Sequence, residues 1–269
     1  MPAPSRRSVL LSCATAAAGL AGCAIPGSLE STQSSDELSI PAETPLVVTN
    51  VNGTVHVEDG GGDTATLEVR KTTRYGADLF EKVHVETGTS GDAFRIETVD
   101  DTPPGKSVSV DLTLYLPENV PVERAKTSNG DVTVQEVGGD ATLQTTNGDV
   151  RADGVDGYVT LRSGNGDVTA RGVTGLDGAR TSNGSVDVEV SAMRGDVRAE
   201  TTNGNVRVAV PEDLNAVVNL QTKNGDVGYS GLDLDVSVKR STHIKGTLGT
   251  GGDELRAETT NGDVRLRPL

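Results

Sequence analysis

Large aromatic side chains are nearly absent from this sequence. Its 269 residues include no Trp, two Phe and four Tyr, together with 33 Gly. Aromatic residues supply much of the apolar area of ordinary protein cores, so a wide, aromatic core is excluded. The core must instead be thin and built from Val, Leu and Ala.

Residues that bind metals, form disulfides or transfer protons are also scarce. Two Cys exclude a multi-Cys zinc framework and a disulfide scaffold, and three His leave little material for acid–base chemistry. His56, His84 and His243 lack metal-ligand spacing. Although His56 and His84 are close enough in sequence to meet in a fold, their alternating surroundings predict solvent-facing strand positions. No Gly-x-Ser-x-Gly segment marks a nucleophilic serine, and we expect no catalytic residues.

Positive charge is low as well. Lys and Arg number 24 against 39 Asp and Glu, which gives a net charge of −15. Binding to nucleic acid depends on neutralising phosphates with basic side chains, so this balance argues against a nucleic-acid partner. A bare anionic membrane surface would repel the chain for the same reason.

The N-terminal segment has the pattern of an export signal. Arg6 and Arg7 directly precede an apolar stretch, as in twin-arginine signals. The stretch from Ser8 to Gly22 is shorter than the roughly 20 residues of a membrane-spanning helix. It ends in Leu20-Ala21-Gly22-Cys23, which resembles the lipobox where a lipid is attached to the Cys that becomes the first residue. We predict a signal peptide over residues 1–22 and a lipid on Cys23, the alternatives being cleavage elsewhere or an uncleaved anchor.

The composition after the signal favours a tethered, extracellular protein. Residues 23–44 are rich in Ser, Thr, Glu and Pro, which is typical of a flexible tether. Without residues 1–22 the chain has 22 basic and 39 acidic residues, a net charge of −17. Such acidity is typical of extracellular proteins from very salty habitats, and twin-arginine lipoproteins are common in haloarchaea. We therefore expect a halophilic protein anchored on the extracellular face of the cytoplasmic membrane, the alternative being an ordinary acidic secreted domain.

Internal repetition is the strongest signal in the sequence. Asn-Gly pairs recur inside segments such as Thr-Ser-Asn-Gly-Asp-Val, at first with a spacing of 18 residues three times in succession. The pairs are Asn129-Gly130, Asn147-Gly148, Asn165-Gly166, Asn183-Gly184, Asn203-Gly204, Asn224-Gly225 and Asn261-Gly262, with an outlying copy at Asn52-Gly53. A second turn signal follows about half a period later, as at Val155-Asp156-Gly157, and apolar and polar residues alternate between the turns. Each unit is therefore predicted to contain two short strands and two corners.

Two architectures use this pattern. In one, each Asn-Gly is the turn of an antiparallel hairpin. In the other, each is the corner of a parallel β-solenoid, where Gly adopts a positive φ and identical residues stack. A hairpin meander needs a covering layer for which the sequence has no large apolar residues, whereas a solenoid covers its own interior. We predict an all-β parallel solenoid of ~18-residue coils over residues 126–269, with an irregular strand-rich cap over residues 45–125, and the hairpin meander remains the alternative.

The repeats resemble a known family. The Asn-Gly-Asp-Val units, the similar segments Leu116-Pro117-Glu118 and Val210-Pro211-Glu212, and the closing repeat over residues 251–264 are similar to the β-strand-repeat family labelled “putative adhesin”. The resemblance covers residues 45–269 and implies a β-repeat fold on a secreted or surface protein, without catalytic residues. We therefore expect a non-catalytic surface module, adhesive or structural, whose partner is a surface protein or polysaccharide. We also expect the two Pro-Glu segments to play equivalent roles in starting a new stack.

An acidic residue follows Asn-Gly in five units: Asp131, Asp149, Asp167, Asp226 and Asp263. Stacking would place neighbouring carboxylates about 4.8 Å apart, where they repel one another. Calcium binding is one interpretation. The other is that each Asp caps its turn by accepting a backbone N–H, and this is favoured because Ser185 and Asn205 replace Asp in two units. The interleaved residues Arg151, Arg171, Arg198, Arg207 and Arg265 then supply part of the compensating charge, and no cofactor is expected.

A pectate-lyase-like enzyme is the alternative from a different class, because enzymes of that kind are parallel β-helices that act on acidic sugars. A catalytic β-helix is expected to have one irregular groove with converging, unlike side chains. A structural or adhesive solenoid is expected to have uniform ladders of identical side chains.

Overall fold

The fold consists almost entirely of short strands. The structure, a computed structural model, describes residues 28–269, and in this range it contains 23 β-strands and one 3-10 helix, Ala77–Lys82. The strands are β1 (Glu30–Leu38), β2 (Leu46–Thr49), β3 (Val55–Asp59), β4 (Ala65–Thr73), β5 (Val83–Ser90), β6 (Ala93–Asp100), β7 (Ser109–Leu116), β8 (Val122–Lys126), β9 (Val132–Gln135), β10 (Ala141–Gln144), β11 (Val150–Asp153), β12 (Tyr158–Arg162), β13 (Val168–Arg171), β14 (Gly175–Arg180), β15 (Val186–Glu189), β16 (Val197–Asn203), β17 (Val206–Val210), β18 (Ala216–Asn224), β19 (Val227–Tyr229), β20 (Leu234–Arg240), β21 (His243–Leu248), β22 (Glu254–Asn261) and β23 (Val264–Pro268).

The strands form two sheets in which most neighbours are parallel. Sheet A has eleven strands in the order β1, β4, β7, β3, β9, β11, β13, β15, β17, β23, β19. Sheet B has twelve in the order β20, β21, β18, β22, β16, β14, β12, β10, β8, β2, β6, β5. In the repeats the chain alternates between the sheets. One strand of sheet B, the following strand of sheet A and their connections together form a coil.

Equivalent strands pair in parallel, one repeat apart. In sheet A, Val150 pairs with Val168 and Ala152 with Ala170, and in sheet B, Leu143 pairs with Leu161. The parallel arrangement predicted for the repeats is therefore confirmed, and the antiparallel hairpin alternative is wrong there. A chain that alternates between two parallel-rich sheets is consistent with the predicted β-solenoid.

The core is as thin as the composition requires. The buried apolar side chains of both sheets form one cluster, and Phe94 is its one aromatic member among residues 28–269. Each strand contributes alternate residues, because successive side chains of a strand point to opposite faces. In β9, for example, Val132 and Val134 are fully buried, whereas Thr133 between them is partly exposed. Val, Leu and Ala therefore fill the space between the sheets without large side chains.

Antiparallel strands close both ends of the stack. At one end β4 pairs with β7 and β1 with β4, while β5 pairs with β6. At the other end β21 pairs with β18 and β20 with β21. The stretch predicted to be an irregular cap includes β2 and β3, which form a regular coil parallel to β8 and β9. The stretch predicted to be repeats throughout includes the antiparallel pair β20 and β21.

The prediction of a flexible tether through residue 44 needs correction. Glu30–Leu38 forms β1, and all nine of its residues pair with β4. This strand looks like a tether in sequence because an edge strand exposes most of its side chains, and eight of its nine residues are Ser, Thr, Gln, Asp or Glu, Leu38 being the exception. The part of the chain left between Cys23 and the folded region is therefore short.

The coils are not stacked in sequence order at the two ends. Coil β2–β3 lies between β6–β7 and β8–β9, and the final coil, β22–β23, lies between β16–β17 and β18–β19. The segments at Pro117-Glu118 and Pro211-Glu212 are the places where the chain skips one coil position, a distance of about 10 Å for two strand spacings. The two segments are equivalent, as expected, but neither starts a new stack, because the chain re-enters the same two sheets and each skipped position is filled by a coil from elsewhere in the chain.

Candidate functional site

The Asn-Gly corner is the most regular candidate site, and its first element is a buried hydroxyl. Two residues before each Asn from Asn129 onwards, a Thr or Ser donates its hydroxyl hydrogen to the Gly carbonyl oxygen of an adjacent coil. The O···O distance is 2.8 Å for Thr145 to Gly130, Ser163 to Gly148 and Thr181 to Gly166. The same bond joins Thr127 to Gly53 and Thr259 to Gly204. These hydroxyls therefore link adjacent coils and are not free for a ligand.

The Asn side chains form a continuous ladder. Each Nδ2 donates to the Oδ1 of the neighbouring Asn at 2.7–2.9 Å. The ladder runs through Asn129, Asn147, Asn165, Asn183, Asn203, Asn261 and Asn224. An internal Asn therefore donates one amide hydrogen bond and accepts another, as in stacked amide ladders of β-repeat assemblies.

The Gly residues of the corner are required by both conformation and space. Their φ values lie between 117° for Gly53 and 146° for Gly166 and others, a region that side chains disfavour. A Cβ atom on Gly166 would lie 2.0 Å from the carbonyl oxygen of Gly148. Close stacking of the coils is therefore possible only with Gly at this position.

The predicted Asp column also serves the stacking. Asp131 Oδ1 accepts the backbone N–H of Asp149 at 2.8 Å, and Asp149 Oδ1 accepts that of Asp167 at 2.7 Å. Ser185 N–H donates in the same way to Asp167, and Asp263 N–H donates to Asn205 Oδ1 at 2.9 Å. Ser and Asn are able to replace Asp here because the position needs a hydrogen-bond acceptor and not a charge. Each of these Asp residues therefore accepts a backbone N–H, as the sequence favoured, but the N–H belongs to the adjacent coil and not to the Asp's own turn.

The metal interpretation of the same column finds no support in its geometry. Asp226 and Asp263 continue the column, with Asp226 N–H donating to Asp263 Oδ1 at 3.0 Å. Within residues 28–269 there is no group of three His, Cys, Asp or Glu placed to hold a metal ion. Of the arginines expected to offset the column, Arg265 pairs with Asp263 at 3.2 Å, whereas Arg151 pairs with Asp153 outside it.

The three histidines lie apart. His56 is in sheet A and its Nε2 is 3.0 Å from Glu58 Oε2, whereas His84 is in sheet B beside Glu86. His243 lies in β21, with Nε2 3.2 Å from Asn219 Oδ1. His56 and His84 therefore do not meet, and each His contacts its own strand or a neighbouring strand.

One irregular cluster escaped the sequence analysis. Arg194 lies in a longer loop, where two successive Asn-Gly pairs are 20 residues apart instead of 18, and this spacing was the available signal. Arg194 Nη1 is 2.5 Å from Asp140 Oδ2, and the guanidinium also bonds to both carboxylate oxygens of Asp177. The guanidinium carbon Cζ of Arg194 lies 4.2 Å from the ring centre of Tyr158. The cluster connects β14 and the starts of β10 and β12, so its contacts are those of a brace across three coils.

The brace also perturbs the charges of its members. The backbone N–H of Tyr158 and then the Arg194 side chain lower the pKa of Asp140. The hydrogen bonds that Arg194 donates to Asp177 and Asp140 raise the pKa of Arg194. Both shifts favour the charged forms of Asp140 and Arg194, as expected for an ion pair that serves as a structural contact.

One cavity in the described residues is lined mostly by acidic side chains. A cavity of about 360 Å³ at the sheet A corner is lined by Glu58, Asp59, Gln135, Glu136, Asp153 and Gly154. No basic side chain lines it, and acidic sugars would be repelled there. No helix within residues 28–269 is long and apolar enough to cross a membrane. The predicted export and lipidation residues Arg6, Arg7 and Cys23 lie outside the described residues.

Comparison with known proteins identifies a family and several distant structures. The family profile described as Toastrack DUF4097 matches residues 106–267. No curated protein matches significantly. A putative cell adhesion protein from Clostridium sporogenes is 11% identical with a TM-score of 0.38, and the match covers 88% of this chain and 100% of that one. A putative adhesin from Bacteroides fragilis is 10% identical with a TM-score of 0.41, covering 88% and 97%. A putative lipid binding protein from Parabacteroides distasonis is 13% identical with a TM-score of 0.37, covering 88% and 96%. Likenesses at these TM-scores carry no functional argument.

Proposed function

This chain belongs to the Toastrack DUF4097 family, and from that premise we propose that it is a non-catalytic surface module. In this proposal a β-solenoid scaffold is anchored outside the cell by a lipid on Cys23. The module presents its outer sheet faces to a surface protein or polysaccharide. The name of the family does not specify an activity. The support for the proposal comes from the hydrogen bonds that the repeated corner residues make.

One observation carries the proposal. The repeated residues of the corner bond to the same residues of adjacent coils: the hydroxyl to the Gly carbonyl, the Asn to the next Asn, and the Asp to a backbone N–H. Uniform ladders of this kind are what a structural or adhesive repeat is expected to have. The residues that vary between coils, and that remain free to contact a partner, are those on the outer faces of the sheets.

The enzyme alternative has less support. A pectate-lyase-like site needs carboxylates, calcium and a basic residue that converge in a groove. The acidic cavity has no basic lining residue, and the Arg194 cluster pairs its cation with two carboxylates. Incubation of the protein with polygalacturonate and calcium should therefore yield no unsaturated products. Steady formation of such products would contradict the non-catalytic assignment.

The calcium-binding alternative predicts a different result from ours. Because Oδ1 of each internal Asp of the column already accepts a backbone N–H, we expect calorimetric titration with calcium in high salt to give no saturable heat. The melting temperature should also be unchanged by calcium. Stoichiometric heat with an upward melting shift would support a calcium-binding repeat instead.

The anchor defines how the module would be displayed. Only residues 24–29 separate Cys23 from β1, and even fully extended they reach about 25 Å from the lipid. A two-chain lipid holds such a protein stably on a membrane, whereas one chain is marginal. The end of the stack that contains β1 would then face the membrane, and β20 and β21 would lie at the far end.

Mass spectrometry of membrane-extracted protein tests the anchor. We expect a chain that begins at Cys23 and carries added lipid mass. A Cys23→Ser variant should lose this modification and be released into the medium or retain its signal. Replacing Arg6 and Arg7 with Lys should stop export. Unmodified Cys23 in the membrane-bound native protein would contradict the proposed anchor.

A further inference from the structure

The basic residues on the two outer faces of the stack differ in how many of them form ion pairs. On sheet A, Arg151 pairs with Asp153 at 2.5 Å and Arg171 with Asp187 at 3.3 Å. Arg265 pairs with Asp263 at 3.2 Å, while Arg207 and Arg267 have no ion pair within residues 28–269. Most of the arginines on the sheet A repeats are thus neutralised by their own neighbours.

Sheet B instead presents five basic residues that are mostly unpaired, here called the basic strip: Arg124, Lys126, Arg162, Arg180 and Arg198. In the part of the chain that the structure describes, four of them form no ion pair, and Arg180 reaches its nearest carboxylate, Glu200, only at 4.0 Å. The strip ends at the next strand, where Arg256 pairs with Glu258 at 2.6 Å. Unpaired cations are unexpected in a chain with 39 acidic residues.

The register of sheet B sets the positions of these charges. Lys126, Gln144, Arg162 and Arg180 follow one another in one row across adjacent strands. Arg124, Thr142, Thr160, Gly178 and Arg198 form the second row. The first row crosses four strands and meets Glu200 at the fifth, while the second row crosses all five, about 19 Å at the usual strand spacing. The strip therefore consists of two rows of cationic side chains with hydroxyl and amide groups between them.

On strands β8 to β16 three acidic residues share this face, and Glu97 of β6 and Glu258 of β22 lie beyond its edges. Asp177 is held by Arg194, and Glu200 lies at the edge of the strip beside Arg180. Glu123 is an exposed neighbour of Arg124 in β8. These carboxylates reduce the positive charge of the face without removing it, since five cations of the strip face two carboxylates that lack another partner.

We infer that the basic strip binds an extended, carboxylate-bearing polysaccharide, an inference that deepens and rests on the proposed surface function. The strip extends over five adjacent strands of one sheet, and an extended face of this kind suits a linear polymer lying across the strands better than a compact ligand. Guanidinium groups form paired, charge-assisted hydrogen bonds with carboxylates, and four of the five cations are Arg. The neutral Thr142, Gln144 and Thr160 provide hydrogen bonds for sugar hydroxyls between the charges.

A lipid surface suits the same face less well. Rows of acidic residues flank the strip at both corners, with Asp131, Asp149 and Asp167 on one side and Asp140 and Asp156 on the other. A plane of anionic headgroups would bring these carboxylates close to like charges, which is unfavourable. A single polymer chain contacts the strip alone and avoids both rows.

The test compares matched variants that remove equal charge from the two faces. The strip variant carries Arg162→Gln, Arg180→Gln and Arg198→Gln, and the control carries Arg151→Gln, Arg171→Gln and Arg265→Gln. Binding is measured by calorimetry with polygalacturonate, with uncharged dextran, and with phosphatidylglycerol–phosphatidylcholine vesicles, at low salt and at high salt. Circular dichroism melting of each variant confirms that the fold is retained.

We expect the wild-type protein to bind polygalacturonate but not dextran. The strip variant should bind about tenfold more weakly or worse, which the loss of one charge-assisted hydrogen bond is enough to cause. The control variant should bind within about twofold of wild type, because its arginines are already paired. Binding should weaken as salt rises, since exposed charges are screened.

Three results would overturn the inference: no binding of polygalacturonate by the wild type, equal weakening in both variants, or binding to vesicles in preference to the polymer. None of these affects the proposed function, which fails separately if the bound polymer is cleaved. Product analysis of the same mixtures therefore distinguishes the two failures.

Discussion

The interior of the coil stack and its two ends are held together in different ways. In the interior each coil repeats the same hydroxyl, amide and carboxylate bonds to both neighbours. The same bonds continue through the out-of-sequence coil β22–β23 to Asn224, and beyond the outermost coils antiparallel strands close each end of the stack. The comparison suggests that repetition stabilises the middle, whereas out-of-sequence insertion protects the ends from fraying, as end caps do in other repeat proteins.

The largest effect should come from removing the inserted C-terminal coil. Deleting residues 254–269 removes the buried Leu255, Val264 and Leu266, each worth about 1.5–3 kcal/mol, and leaves β16 and β18 without their shared neighbour. We expect thermal melts followed by circular dichroism to show a lower melting temperature and a less cooperative transition, because the C-terminal end of the stack unfolds first.

Deletion of residues 28–39 is the matched control at the other end. It removes β1, whose buried apolar side chain is Leu38, and should lower the melting temperature less. If the two deletions had equal effects, the insertion of the final coil would have no special role in stability.

A smaller but local effect should follow from adding a methyl group inside the stack. Gly166→Ala would place a Cβ 2.0 Å from the Gly148 carbonyl oxygen at a φ of 146°, so we expect a loss of roughly 3 kcal/mol in unfolding free energy. Gly88→Ala, with no atom within 4 Å, should be nearly neutral. Urea denaturation measures both variants, and a stable Gly166→Ala protein would show that the coils are not stacked this closely.

Loss of the buried Thr181 hydroxyl should lower the free energy of unfolding less than Gly166→Ala does. Thr181 is 1% exposed, and its hydroxyl donates to the Gly166 carbonyl oxygen at 2.8 Å. Thr181→Val leaves that buried oxygen without its partner, which costs about 1–3 kcal/mol. Thr181→Ser keeps the hydroxyl, as Ser163 does naturally, and should lose less in the same denaturation series. Equal losses would mean that packing and not the hydrogen bond determines this position.

The repeats could be predicted from sequence because each corner residue has a local reason for its identity. The Asn-Gly pairs located the corners, and alternation located Val132 and Val134 in the core. The coil order was harder to predict, since Pro211 shows where the chain leaves a coil but not which segment fills the gap. A usable signal was present: residues 196–208 closely match residues 254–266, and these two segments pair directly.

The ends and the outer faces could not be predicted in the same way. β1 has the composition of a tether because an edge strand needs few apolar residues, so composition alone misassigned it. The pairing of surface charges depends on which residues of neighbouring coils lie side by side. Arg171 contacts Asp187 only because the sheet register places them side by side. For the same reason, the sequence alone does not show that Arg162 lacks an ion pair.

Hydrogen exchange at the corner Gly amides tests the account most directly. Within the stack these N–H groups donate to the Asn carbonyl of the next coil, for example Gly148 to Asn165 and Gly166 to Asn183 at 2.8 Å. Gly225 lies in the last coil, where no further coil follows. NMR should show that the internal amides exchange only with global unfolding, while Gly225 exchanges at least about tenfold faster through local opening. Equally fast exchange at Gly148, Gly166 and Gly225 would contradict a stack held together by its ladders.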